Sequence, residues 1–314
     1  MNRREFLTTS ACACVATATT KVSDLFAEDK PPATTTRLYR CGTPPPTPSE
    51  KIQANRVVTA LRAHRVNFRG QTVIPVRFHV IHVGERGNLP DRQLKAQVAM
   101  LNTIYAPSSL QFKIKDINRH ENEQWFYGEP GTDGEFLMKN QLGQDTAKCL
   151  NFYTCEPGGA LLGYATFPWW FAEAPQHDGV VIHHASLPNS ARPWIQQPWP
   201  YDLGMTAVHE IGHWCGLYHT FQGGCDAPGD DIEDTAFELE PAAGCPIDQP
   251  SQCPGETRAN PVDNYMDYSD DACMKHFSPM QIRRVKDMVG YYRYQLSPLT
   301  NRSSLLAQIR KSIE

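Results

Sequence analysis

No stretch of this 314-residue chain approaches the run of about 20 apolar residues that a membrane-crossing helix requires, so no membrane span is expected. Charge of one sign is not in excess either. Against 34 Asp and Glu stand 30 Lys and Arg, and a formal net charge of -4 does not favour nucleic acid as a partner. No internal repeat is visible, and no acidic stretch has EF-hand spacing. With 40% apolar and 20% charged residues, what remains is a soluble globular chain, long enough for one large domain or two modest ones.

What is present is concentrated in one string. His209-Glu210-Ile211-Gly212-His213-Trp214-Cys215-Gly216-Leu217-Tyr218-His219 reads HExxHxxGxxH without a break. Residues four apart share a helix face, so His209 and His213 can offer two imidazoles to one ion. Gly216 lets the backbone leave the helix in a left-handed conformation and swing His219 back as a third ligand. Three protein nitrogens with an open fourth position make a catalytic zinc pattern, whereas structural zinc is closed by four protein ligands. Glu210 adjoins the first ligand and can reach a water as general base without binding the metal. A bare HExxH also arises by chance on polar helix faces. The longer form is the metzincin signature, provided a Met-turn follows, and Asn264-Tyr265-Met266-Asp267-Tyr268 is a candidate for it.

The amino terminus and the cysteines point outward from the cytoplasm. Asn2-Arg3-Arg4-Glu5-Phe6-Leu7 has the form of a twin-arginine export signal, followed by a weakly apolar run to Thr20. Cleavage after Ala18 and after Ala27 both stay open, and Cys12 lacks the leucine three residues ahead that a lipidated cysteine needs. Cys12 and Cys14 fall in this signal and Cys41 in the segment after it. The others are Cys149, Cys155, Cys215, Cys225, Cys245, Cys253 and Cys273, and the last four crowd a loop-rich stretch with few periodic apolar residues. That distribution reads as disulfide stapling in an oxidising compartment, and the absence of any CxxC spacing argues against a second, structural zinc site. Secretion, or export to a periplasm, is expected.

Along the chain, Pro31-Pro32 and Pro44-Pro45-Pro46-Thr47-Pro48 predict extended, exposed backbone, with a short helix over Ser49 to Arg65. Strands are predicted over Val73–Val83, near Leu110–Ile117, over Leu150–Thr154 and over Gly179–His183, with an edge strand in Leu161–Pro168. Asp91 is read as the cap of a helix through Tyr105 that carries Leu94, Val98 and Leu101 on one face. Asp202 is read as the cap of the helix that bears the histidines and ends at Gly216. After His219 regular structure is scarce until Ser278-Pro279 opens a helix to about Leu296. The tail from Ser297 carries Leu305, Leu306 and Ile309 at helical spacing but no evident purpose.

Assembled, these pieces resemble the pappalysin family of metzincins (ulilysin-like), over roughly residues 39 to 290. The most specific parts are Leu162-Gly163-Tyr164-Ala165-Thr166-Phe167-Pro168, His209 through Cys225, and Asn264 through Cys273. The resemblance implies an α+β metzincin catalytic domain: a twisted, mostly parallel five-stranded sheet with backing and active-site helices above the cleft. Below it would lie an irregular, disulfide-stapled lower subdomain with a C-terminal helix. It divides the chain into signal peptide 1–27, prosegment 28–65, upper subdomain 66–219, lower subdomain 220–296 and tail 297–314. Extended protein or peptide substrates would lie antiparallel to the upper-rim strand, and a monomer is expected. Interleaved disulfides Cys225–Cys253 and Cys245–Cys273 are implied; Cys149 and Cys155 could then join each other, leaving Cys215 as a small buried apolar residue.

The implied chemistry is hydrolysis of peptide bonds at zinc held by His209, His213 and His219, with Glu210 as general base and Tyr268 donating to the oxyanion. Met266 would form an apolar floor under the histidines. The other histidines (His64, His79, His82, His120, His177, His183, His184 and His276) lack partners at helical ligand spacing. Of these the His183-His184 pair is the closest rival, although strand neighbours face opposite ways. In Arg40-Cys41-Gly42-Thr43 the Cys41 thiolate could take the fourth zinc position and hold a zymogen latent, or Cys41 could form a disulfide with the catalytic domain. Removal would fall between Asn55 and Arg69. The acidic run at 229–235 offers Asp231, Asp234 and Thr235 to calcium, the family's calcium-dependent members tilting that reading away from a solvated acidic turn. Asp270 and Asp271 after the Met-turn are charge candidates for a pocket that takes Arg or Lys after the cut. The contrasting reading is an exported non-catalytic binding or adhesion module stabilised by zinc, for which Glu210 would have no use.

Overall fold

The computed structural model describes residues 39–68, 70–188, 199–296 and 303–313; the export signal at 1–27 and the first part of segment 28–65 lie outside the described residues. Alternating β-branched and aromatic residues make β1 (Thr72–His82) the longest interior strand, and a sheet in the order β2-β1-β3-β5-β4 is built around it. Strands β2 (Leu110–Glu121), β3 (Leu150–Cys155) and β5 (Val180–His183) pair in parallel, and β4 (Gly163–Ala165) closes one edge antiparallel to β5. The fold is therefore mixed α+β with the mostly parallel sheet expected.

One sheet face is covered by two helices. Helix α2 (Asp91–Ile104) buries Leu94, Val98 and Leu101 against Ile74, Val76, Phe78 and Phe112. Asp91 is its first residue and not its cap, which is Pro90, so the carboxylate acts on the helix dipole in the first turn. At the far end Tyr105 donates to the Val208 carbonyl at 2.7 Å, locking α2 to the central helix that carries the histidines. The other face is covered by α3 (Glu123–Phe126) and α4 (Asp133–Leu142), which sequence periodicity does not reveal. Trp125, Phe126, Met138 and Leu142 pack there against Ile81, Tyr153 and Val181. Gly128, Pro130, Gly131 and Gly134 break the apolar spacing of that stretch and hide its helices.

The histidine-bearing helix α5 runs Met205–Trp214, two residues later than a cap at Asp202 would start it. Its cap is Gly204 at φ 85°, which offers no side chain. Asp271 supplies the missing carboxylate from across the chain, accepting from the Leu203 and Met205 amides at 2.9 and 3.3 Å. At the other end Asp178 takes Trp214 Nε1 and both Arg293 terminal nitrogens at 2.9 Å each. This buried ion pair ties α5 to α6 (Pro279–Tyr292), which starts at Ser278 as the sequence indicates and carries a capping box there with Gln281.

Between Trp214 and Pro279 the described residues hold no helix or strand, only turns and isolated bridges, stapled by Cys225–Cys253 and Cys245–Cys273 as the family resemblance implies. The Cys149–Cys155 pairing is overturned: both are free and buried, as is Cys215. Cys149 precedes the extended strand β3 and Cys155 ends it, and six residues at about 3.3 Å each separate them by roughly 20 Å, far beyond disulfide reach. Two outer helices complete the structure, α1 (Pro48–Ala63) near the amino end and α7 (Ser303–Ile313) in the tail. No described helix is long and apolar enough to cross a membrane.

Candidate active site and metal centre

Helical spacing puts His209 and His213 on one face of α5, and Gly216 at φ 92° turns the chain so that His219 returns to them. The His213 Nε2 lies 3.2 Å from His209 Nε2 and 3.0 Å from His219 Nε2. Two of the rings have a fixed tautomer. His209 Nδ1 stands 2.8 Å from the Tyr265 carbonyl and His213 Nδ1 2.8 Å from the Leu217 carbonyl. A carbonyl can only accept, so Nδ1 carries the proton and Nε2 presents a lone pair. Lone pairs converging at 3 Å repel one another unless a cation sits between them. Tetrahedral zinc with Zn–N near 2.0–2.1 Å sets ligand nitrogens about 3.3 Å apart, close to what is seen. Burial holds all three imidazoles neutral, with His213 lowered to about 4 and the other two well below the ordinary value. The residues present thus fit a single transition-metal ion.

The Met-turn supports this group from below. Met266 is fully buried, its backbone N–H bound by Asn264 Oδ1 at 2.9 Å, and its sulfur lies where a Cβ on Gly212 would have to go. Glycine at 212 is therefore required by the approach of Met266 to α5. Tyr268 reaches the same centre, its Oη 3.2 Å from His219 Nε2. Glu210 is completely buried, and burial pushes its carboxyl up to about 8 while Cys41 and Thr43 hold it down in part.

The amino-terminal segment lies across this centre. Tyr39 and Gly42 pair with Ala160, Leu162 and Gly163 through backbone hydrogen bonds of 2.8–2.9 Å, and the Tyr39–Leu161 bridge is parallel. Cys41 Sγ joins the three histidine nitrogens in one cluster whose ligand atoms all lie within 4.8 Å of one another. Cys41 is thus a free thiol at the metal centre and not a disulfide partner. Thr43 Oγ1 donates to Glu210 Oε2 at 3.0 Å, a contact that no sequence spacing signals. Arg40 inserts its guanidinium into a buried pocket, donating to Asp271 Oδ1 at 2.7 Å and to the Ser269 carbonyl at 3.0 Å, with Tyr201 alongside. Of the two acidic residues named from charge, Asp271 meets the arginine.

Other expectations fare differently. His183 and His184 do not face opposite ways: β5 ends at His183, the chain turns, and the rings stack 4.9 Å apart beside Glu156. Yet His183 Nδ1 accepts from the Ala185 amide at 3.1 Å, so its proton sits on Nε2, the reverse of the arrangement at His209 and His213. Asp231, Asp234 and Thr235 take separate partners. Asp234 caps α6 through Ser278 and Met280, Thr235 donates to Asp230 Oδ1 at 2.7 Å, and Asp231 faces Lys51 at 4.0 Å.

Comparison with known proteins agrees with this geometry. The family described as Pregnancy-associated plasma protein-A matches residues 194–290. An extracellular metalloprotease of Pyricularia oryzae is 36% identical over 267 residues, covering 81% of this chain and 90% of its own length. Extracellular metalloprotease 1 of Coccidioides posadasii is 37% identical over 262 residues, with 81% and 90% covered. Among solved structures, a Tannerella forsythia promirolysin mutant superposes with TM-score 0.70 at 25% identity, covering 84% of this chain and 99% of its own. Mature mirolysin from the same organism, in complex with a cleaved peptide, gives 0.64 at 27% identity and covers 75% and 98%. A buried three-histidine centre on a metzincin-like scaffold, with relatives alike over nine-tenths of their length, places this chain in the pappalysin family: it is a metalloprotease.

Proposed function

We propose that the chain is a secreted zinc endopeptidase made as a latent zymogen, with residues 28–65 as prosegment, 66–219 and 220–296 as the upper and lower halves of the cleft, and 297–314 as a tail. Export would use the twin-arginine signal. The reading rests on one observation above all: three imidazole Nε2 atoms meet at a point that a prosegment thiol also reaches, with an uncoordinated carboxylate beside them.

Zinc bound by His209, His213 and His219 supplies a Lewis acid that acidifies water and polarises a carbonyl. Glu210 takes the proton of the attacking water and delivers it to the leaving amine. Met266 fixes the height of α5, and the carbonyls of Tyr265 and Leu217 fix the rings. Tyr268 donates its hydroxyl proton toward the oxyanion as the carbonyl becomes tetrahedral. Tyr268→Phe is expected to lower kcat on the order of a hundredfold while leaving metal content intact. Unchanged turnover would remove Tyr268 from the mechanism.

The prosegment is built as an inhibitor and not as a substrate. It runs parallel to the upper rim near β4, opposite to the direction that family resemblance implies for a substrate, so its carbonyls are presented in reverse order along the cleft. Cys41 and Thr43 also occupy Glu210 Oε2. The greater share of this chain covered by promirolysin than by mature mirolysin supports the same view.

Arg40 marks the preferred side chain. A guanidinium bound by the buried Asp271 and by a backbone carbonyl, and covered by Tyr201, is a fitted occupant that a substrate arginine would replace. The mature enzyme is therefore expected to cut before arginine. Sequencing the products of a random peptide library tests this. Arg should dominate the position after the cut and Lys should follow at a distance, because an ammonium cannot reproduce the fork. A library cut without regard to that position would sink the pocket assignment.

A further inference from the structure

The tail beyond α6 has no part in the chemistry just described, yet it is packed against the prosegment. Helix α1 is amphipathic in two directions. Ala54 and Val58 lie on Met288 of α6, while Val57 and Leu61 join Tyr291 and the α7 residues Leu306, Ile309 and Ile313 in a separate apolar cluster. Leu306, Ile309 and Ile313 recur at three and four residues, so one face of α7 is spent on this contact. Among the described residues, and apart from the part-buried Val66 and Phe68, the catalytic body contributes to that cluster through Tyr291 and Tyr292 at the end of α6. Arg310 reaches over Tyr291 and Tyr294, pinning α7 to the same corner. At its amino end α1 is held by a carboxylate: Glu50 accepts from the indole N–H groups of Trp169, at 3.0 Å, and Trp170. Lys51 donates to the Gly229 carbonyl at 2.9 Å.

We infer that α7 is the second half of the latency device, a carboxy-terminal clasp that closes over α1 and keeps the prosegment seated. This rests on the zymogen reading above and assigns the tail to it. Once the chain is cut after α1, no covalent link holds the inhibitor, and its cleft contacts from Tyr39 to Thr43 are short and polar. The apolar cluster with α7 slows departure at that stage. When the prosegment does leave, Val57 and Leu61 go with it and α7 loses those two partners of its buried face. The clasp then has no role in the mature enzyme.

The test uses the full-length chain in four forms: unaltered, lacking residues 297–314, carrying Ile309→Asp, and carrying Cys41→Ala. Self-processing is followed by mass spectrometry and activity by hydrolysis of an arginine-containing peptide. The truncated and Ile309→Asp chains are expected to activate faster than the unaltered chain by on the order of tenfold or more, the effect of uncovering about one aliphatic side chain. The mature enzymes obtained from all forms should share one kcat/KM and one Tm. Equal activation rates overturn the clasp, and so does a mature enzyme whose Tm falls on truncation as far as the zymogen's, since α7 would then be a general stabiliser. A Cys41→Ala chain no more active than the unaltered one, together with no gain on prosegment removal, instead fails the latency reading itself. The two failures are distinct.

Discussion

Glu210→Gln is expected to lower kcat/KM by about a hundred- to ten-thousandfold without loss of fold or metal. The size follows from what the residue does. An amide of the same shape fills the same space but cannot accept a proton from water or return it to an amine. Shape matters here because the Glu210 side chain packs closely against the rim: a Cβ on Gly163 would stand only 3.0 Å from Glu210 Cγ. Ala would leave a cavity beside the metal, so Gln is the cleaner variant. Since Gln fills the same space and buries no charge, Tm should hold. A Glu210→Gln enzyme that still turns over near the unaltered rate would show that another group moves the proton.

Cys41→Ala should convert a silent precursor into an active one before any cut is made. Besides its backbone hydrogen bonds to the rim, three side chains hold the segment in the cleft: the Cys41 thiol at the histidine cluster, Thr43 on Glu210, and Arg40 in the Asp271 pocket. Only the first competes for the metal. Removing it leaves Arg40 and Thr43 in place, so activation is partial, on the order of ten- to a hundredfold for a ligand contact of about 1.4 to 2.8 kcal/mol. The measurement is peptide hydrolysis by a chain shown intact by mass spectrometry in the same tube. A Cys41→Ala precursor as inert as the unaltered one would mean that the segment blocks by bulk alone.

What the sequence makes legible depends on whether the determinant is local. The histidines, Glu210 and Gly216 lie within eleven residues on one helix and its turn, so spacing alone assembles them. The strands β1, β3 and β5 are legible because β1 alternates along its length and all three are rich in β-branched and aromatic residues. Asp271, by contrast, does two things that no local pattern announces: it caps α5 from 66 residues away and receives Arg40 from 231 residues away. Asp202, adjacent in sequence, reads as the cap in its place. Counting pairs Cys149 with Cys155, whereas the strand between them forbids the bond. Thr43, the Asp178–Arg293 pair and the union of α1 with α7 are likewise products of tertiary contact. The tail is legible as a helix, but what it holds is not.

The central claim is that three neutral imidazoles share one ion while a carboxylate next to them stays free. Counting zinc per chain by elemental analysis of the purified, processed protein tests it most directly, with the Glu210→Gln and His213→Ala variants alongside. One equivalent is predicted in the unaltered and Glu210→Gln proteins and near none in the His213→Ala protein. An unaltered enzyme that is active without stoichiometric metal, or a His213→Ala protein that keeps a full equivalent, would contradict the account.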